Sequence, residues 1–191
     1  GNNVISSPEV VVRGTVQRDL GGYRPELPHA GDLEMWLRIA GVSNIAYVRR
    51  IPQAFYRVHA ASMLRTKYRS TLADLQQRKA AFDSFFHSQR TVKGATRLQA
   101  SANRALAREA LWRACRAYDR NQVQEADASE LVRFAIETDA KAGTLSEYFA
   151  LCRRRRLGPL VCNRTQVFAV PALLRRTRTW FLRERWKRQG I

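Results

Sequence analysis

Cysteine is scarce: three in 191 residues, Cys115, Cys152 and Cys162, an odd and widely spaced set. That spacing excludes both a disulfide framework and a paired-cysteine zinc site. It points to a reducing compartment, with the thiols as buried small side chains or inert surface groups. Long apolar runs are also missing. The longest, Val167 to Leu174, is interrupted by Pro171 and is far too short to span a bilayer. No basic stretch leads into an apolar run at the start, so no signal peptide is expected. Nor is there an initiator Met, and Gly1-Asn2-Asn3 is expected to be an internal point of a longer chain. Acidic residues are few, 16 Asp and Glu against 34 Lys and Arg, which leaves a net charge of +18.

That charge is concentrated. Residues 1–64 hold 7 Lys/Arg against 5 Asp/Glu, residues 65–150 hold 15 against 10, and residues 151–191 hold 12 against 1. A nearly balanced body therefore carries a strongly basic end. The length suits one medium domain, or a part-domain with an appendage.

Local patterns divide the chain the same way. In the first 64 residues, Val10-Val11-Val12, Asn44 to Val48 and Ala54 to Val58 are short β-prone runs. From Asp32, the residues Leu33, Trp36, Leu37 and Ala40 lie on one helical face and Gly41 ends the pattern. Beyond His59 the pattern is helical: residues 62–87, then about Thr96 to Tyr118, then Ala126 to Thr138 after an Asp119-Arg120-Asn121 turn. The expected class is α+β, with mixed structure in 1–64, a helical extension in 65–150 and a basic amphipathic tail in 151–191.

An ordered series of short motifs in residues 1–64 resembles the acceptor-side, C-terminal half of the GT-A fold in family 2 glycosyltransferases. Asn3 to Pro8 followed by Val10-Val11-Val12-Arg13 is similar to the segment leading into the family's "R-R-x-A" stretch, and Leu20-Gly21-Gly22-Tyr23 to its "V-G-G-F" turn. Asp32-Leu33-Glu34-Met35-Trp36-Leu37-Arg38 resembles its "E-D-x-D-L-W-L-R" helix start. Ile45 to Val48, then Tyr56-Arg57-Val58-His59 and Ser62-Met63, resemble the closing strand pair and the "Y-R-x-H-x-x-S" signature. Gly31 stands where the family usually has the first acidic residue of its pair, so only Asp32 can fill that role. The family's nucleotide-binding half and its metal-binding Asp-x-Asp have no counterpart in this chain.

The resemblance implies an inverting transfer of sugar from a nucleotide-sugar donor to a glycan or lipid-linked acceptor, as in bacterial surface polysaccharide biosynthesis. Such a reaction needs a base for the acceptor hydroxyl proton, and the resemblance makes Asp32 the candidate; spacing alone favours a helix cap there instead. It also needs positive charge at the departing diphosphate. Arg57 and His59 alternate on an expected strand and would face one side, His59 as a metal ligand or diphosphate contact. The implied cofactor is a divalent metal, Mg or Mn, with its main ligands outside this chain. Trp36 could floor an acceptor pocket or belong to the core, and Arg38 could pair with Glu34 at i, i+4 or reach toward the cleft.

The end of the chain is amphipathic and basic. From Pro171, the residues Leu173, Leu174, Thr177, Trp180 and Phe181 share a side, and arginines and Lys187 fill most of the rest. Such a helix could bind an anionic membrane surface or nucleic acid phosphates, or simply be a solvated charged end. The aromatic anchors Trp180, Phe181 and Trp186 favour the membrane, placing the protein in the cytoplasm at the inner face of the cell membrane. The rival reading is a basic helical nucleic-acid-binding or scaffold protein without enzyme activity.

Overall fold

The architecture grows from one long helix whose buried side is mostly alanine. The computed structural model describes all residues except 2, 6, 49–53, 56–69, 90, 91, 125, 190 and 191. In chain order its helices are α1 (Gly14–Leu20), α2 (Gly31–Val42), α3 (Thr71–Ser88), α4 (Ala95–Asp119) and α5 (Ala128–Thr138). Then follow α6 (Ser146–Leu157), α7 (Pro159–Thr165) and α8 (Ala169–Gln189). In α4, Ala102, Leu106, Ala110 and Ala114 recur every fourth residue, beside a parallel row of Ala107, Leu111 and Cys115. Nearly all of these side chains are fully buried. Alanine favours helix and adds little bulk, so neighbouring helices can approach α4 closely.

The helices packed on α4 supply the large side chains. Leu75, Phe82, Phe85 and Phe86 come from α3, Leu131, Val132 and Phe134 from α5, and Leu151 from α6. Leu27, Ala30 and Leu33 bring the start of α2 into the same cluster. Each buried Leu or Phe contributes about 1.5–3 kcal/mol of transfer free energy.

Buried ion pairs lock the helix ends. Arg154 on α6 grips Asp119 at the end of α4 with both arms, Nε to Oδ1 at 2.8 Å and Nη2 to Oδ2 at 3.2 Å. Asn163 on α7 donates to the Asp119 carbonyl at 3.1 Å, so one residue ties three helices. On the other side of the molecule, Arg78 pairs with Asp74 and Glu109 at 3.0 Å each and donates to the Gly1 carbonyl at 2.8 Å.

The expected α+β class is overturned, because among the described residues every regular element is helical and none is a strand. Val10-Val11-Val12 runs without regular structure between a 3-10 turn and α1, with Val11 exposed. Asn44 to Val48 is also irregular, and Ile45, Tyr47 and Val48 lie in solvent. β-propensity describes fit to a partnered, half-buried surface, and a ladder needs a neighbouring strand to take its hydrogen bonds. No such neighbour exists among the described residues. Ala54 and Phe55 are likewise irregular, and the rest of that expected strand lies outside the described residues.

The helical expectations fare differently. The helix expected over 62–87 is described as Thr71–Ser88, with Leu64 and Tyr68 outside the described residues. Those expected over Thr96–Tyr118 and Ala126–Thr138 are α4 and α5, each within two residues at either end. The basic segment is not uniform: Leu151, Arg154 and Cys162 are buried in the helical body, and the exposed basic helix is α8. No described helix is long and apolar enough to cross a membrane.

Candidate functional site

Two pieces of the motif series, residues 20–23 and 32–38, form one physical unit. Gly21 ends α1 with φ 79°, a backbone angle that favours glycine, and the chain turns through Gly22 toward α2. Arg38, buried in the last turns of α2, holds that turn in place. Its Nη1 donates to the Leu20 carbonyl at 2.5 Å and its Nη2 to the Gly22 carbonyl at 2.9 Å. Its Nε reaches both oxygens of Glu34, one helical turn earlier, at 2.8 and 2.9 Å. Glu34 is fully buried and also accepts from Arg24 Nε at 2.8 Å. Two guanidinium groups thus balance one buried carboxylate, and the Leu20–Tyr23 turn is clasped to α2.

The start of α2 is anchored separately. His29 in the preceding loop pairs with Asp74 Oδ1 on α3 at 3.0 Å, and its backbone N–H reaches Gln77 Oε1 at 3.4 Å. The residue capping α2 is Ala30, so Asp32 lies inside the first turn and is not the cap. A carboxylate there is favoured by the positive end of the helix dipole.

Asp32 is half-buried and held by neutral donors. Oδ2 accepts from Asn3 Nδ2 at 3.0 Å and Ser7 Oγ at 3.1 Å, and Oδ1 from the Leu33 backbone N–H at 2.7 Å. Among the described residues it forms no ion pair. A carboxylate offers about four lone-pair sites, so one acceptor position is left over.

Trp36 follows Asp32 by one turn on the same face of the helix. Its ring meets Tyr23 edge-on, with centroids 6.4 Å apart. Its indole Nε1 is buried and has no hydrogen-bond partner among the described residues. Leaving such a donor unmet costs about 1–3 kcal/mol.

The structure therefore brings Asp32 and Trp36 together and separates Arg38 from them. Of the two alternatives for Arg38, the pair with Glu34 is the one observed, and its guanidinium is spent on internal partners. Arg57 and His59 lie outside the described residues. Among the described residues no group of three or more His, Cys, Asp or Glu is placed to hold a metal ion. Sequence reasoning missed Asn3 and Ser7 as the donors that orient Asp32. No spacing rule links residues so far apart in the chain, and only the loop before α1 brings them close.

Comparison with protein-family models, with curated proteins and with solved structures returns no match to this chain. The likeness to family 2 glycosyltransferases rests on the motif series alone.

Proposed function

We propose that this chain is the acceptor side of an inverting glycosyltransferase in which Asp32 is the general base. The observation that carries the reading is an oriented carboxylate that, among the described residues, forms no ion pair, set one turn along α2 from a buried indole donor that finds no acceptor among them. A base must stay anionic, accessible and fixed in direction, and Asn3 and Ser7 supply the fixing without supplying charge. The unmet Trp36 donor would suit a hydroxyl or ring oxygen of a sugar once the ring turns it out of the interior, where it is closed to solvent.

In the reaction, the acceptor hydroxyl oxygen attacks the anomeric carbon of the donor sugar. The bond from that carbon to the nucleotide diphosphate breaks, and the diphosphate leaves with the electron pair. The acceptor proton passes to Asp32. Residues that bind the donor, and the Mg or Mn ion that the resemblance implies, are assigned outside the described residues. Arg57 and His59 remain candidates for the diphosphate end.

Trp36→Phe tests the reading. The full-length protein, incubated with labelled nucleotide sugars and lipid-linked or glycan acceptors, is expected to form product. The variant keeps the aromatic face and loses the N–H, so the acceptor KM should rise about tenfold with kcat little changed. Absence of transfer from every nucleotide sugar to any acceptor removes the reading, and an unaltered KM removes Trp36 from it.

A further inference from the structure

The helix α8 presents two opposite faces. Successive residues turn by about 100° around a helix, so Val170, Leu173, Leu174, Thr177, Trp180 and Phe181 share an arc of roughly 120°. The five apolar members are all exposed, Leu174 and Phe181 at 65% each. On the opposite side lie half-buried Ala172 and Arg175, and Arg175 reaches the body. There the Arg175 guanidinium stacks 3.9 Å from the Trp112 ring centroid and lies 3.4 Å from the buried Glu147 carboxylate. At the start of the helix, Phe168 takes Arg154 over its ring at 3.8 Å. A helix free to bury its own apolar stripe would turn that stripe inward. In α8 it is Arg175 that holds the body, and the apolar arc is left exposed.

Beside this arc runs a groove of about 930 Å³ between α4 and α8. Trp112, Arg116 and Arg120 form one wall, and Leu173, Arg176 and Trp180 the other. Arg116 lies 3.4 Å from Asp119, whereas Arg120 and Arg176 are exposed and form no ion pair among the described residues. The groove thus sets two uncompensated guanidinium groups next to exposed aliphatic and aromatic surface.

We propose that this face docks on an anionic phospholipid bilayer, with α8 in the plane of the membrane, its apolar arc at the acyl boundary and a lipid phosphate in the groove between Arg120 and Arg176. Arginine recognises phosphate through paired N–H donors, and Trp180 suits the headgroup level. Two features select lipid over the other polyanion, nucleic acid. Nucleic acid would satisfy the arginines and leave the apolar arc in water. A surface that is anionic outside and apolar a few ångströms deeper satisfies both. The excess of 12 basic over 1 acidic residue in 151–191 gives the approach its charge complementarity. The proposal stands independently of the glycosyltransferase reading and draws Trp112, Arg116 and Arg120 of the helical body into the membrane contact.

Sedimentation of the whole chain with phosphatidylcholine vesicles, with and without phosphatidylserine, tests it across a salt series. Binding is expected to be at least tenfold stronger with phosphatidylserine, and a weaker fraction should persist at high salt, because screening removes the charge contribution and leaves the apolar one. Arg120→Glu with Arg176→Glu should weaken partitioning by about tenfold or more. Leu174→Asp with Phe181→Asp should abolish the salt-resistant fraction. These four side chains are exposed, so the thermal unfolding midpoint should be retained in both variants. Equal binding to both kinds of vesicle, unchanged partitioning of the charge-reversed variant, or no vesicle binding together with a steep salt-dependent affinity for RNA would each overturn the proposal.

Discussion

α4 and α8 are long basic helices built from the same few residue types, yet one is the centre of the molecule and the other lies on its surface. In α4 the facing positions are small, and the larger neighbours come from α3, α5 and α6. Its arginines sit away from that stripe or at its edges. In α8 the apolar positions are large and clustered, and the one well-placed arginine, Arg175, takes the side that meets the body. Composition alone does not separate core from surface here. What separates them is whether the apolar stripe or the charged stripe finds a partner first.

The largest effect should come from the ion pair that closes α4. Arg154→Ala leaves the Asp119 carboxylate buried without its main partner and should destabilise the fold by about 3–5 kcal/mol in urea unfolding. A loss below about 1 kcal/mol would mean that the end of α4 is not locked in this way. Next comes a matched pair of truncations. Leu111→Ala in α4 should cost about 2–5 kcal/mol, and Leu174→Ala in α8 less than about 0.5 kcal/mol. Equal costs would erase the distinction between the two helices.

A smaller effect should follow pH at the joint between them. Burial of Glu147 works against its charged form, but hydrogen bonds from Arg108 and Ser146 and the Arg108 charge outweigh it, and its carboxyl titrates below the ordinary value. The folded chain therefore takes up this proton less readily than the unfolded chain. The stability it supplies is complete above the ordinary glutamate range and is lost as pH falls from there through the lower folded value. Glu147→Gln should flatten that part of the stability profile, as read by urea midpoints across acidic pH.

Much of the helical plan was legible in the sequence, because periodic apolar positions bounded by Gly or Asp mark α2, α4 and α5 closely. The two β-prone runs that are fully described, residues 10–12 and 44–48, misled, since valine and tyrosine favour a strand only when a neighbouring strand accepts their backbone. α1 has too few apolar positions to show a period, and in α6 the run Arg153 to Arg156 reads as tail although Arg154 is a buried partner. Around the candidate site, the i, i+4 link of Glu34 to Arg38 was readable. The grip of Arg38 on the glycine turn, and of Asn3 and Ser7 on Asp32, depends on loops that no pattern encodes.

The smallest effect concerns the thiols. Burial pushes Cys115 up to about 11 and raises Cys162 as well. Neither should react with a thiol reagent in the native protein at neutral pH, while the half-buried Cys152 should react alone. Fast labelling of Cys115 would show that α4 opens on the timescale of the reaction.

The reading of Asp32 as the base is tested most directly by turnover of the full-length protein carrying Asp32→Asn. The amide keeps the shape and can still accept at its oxygen from Asn3 or Ser7, but it cannot take the acceptor proton. A fall in kcat of about 10²–10⁴-fold is predicted, with donor affinity unchanged and thermal stability nearly so. Turnover within about threefold of the parent protein would contradict the assignment and leave Asp32 as a residue that only fixes the start of α2.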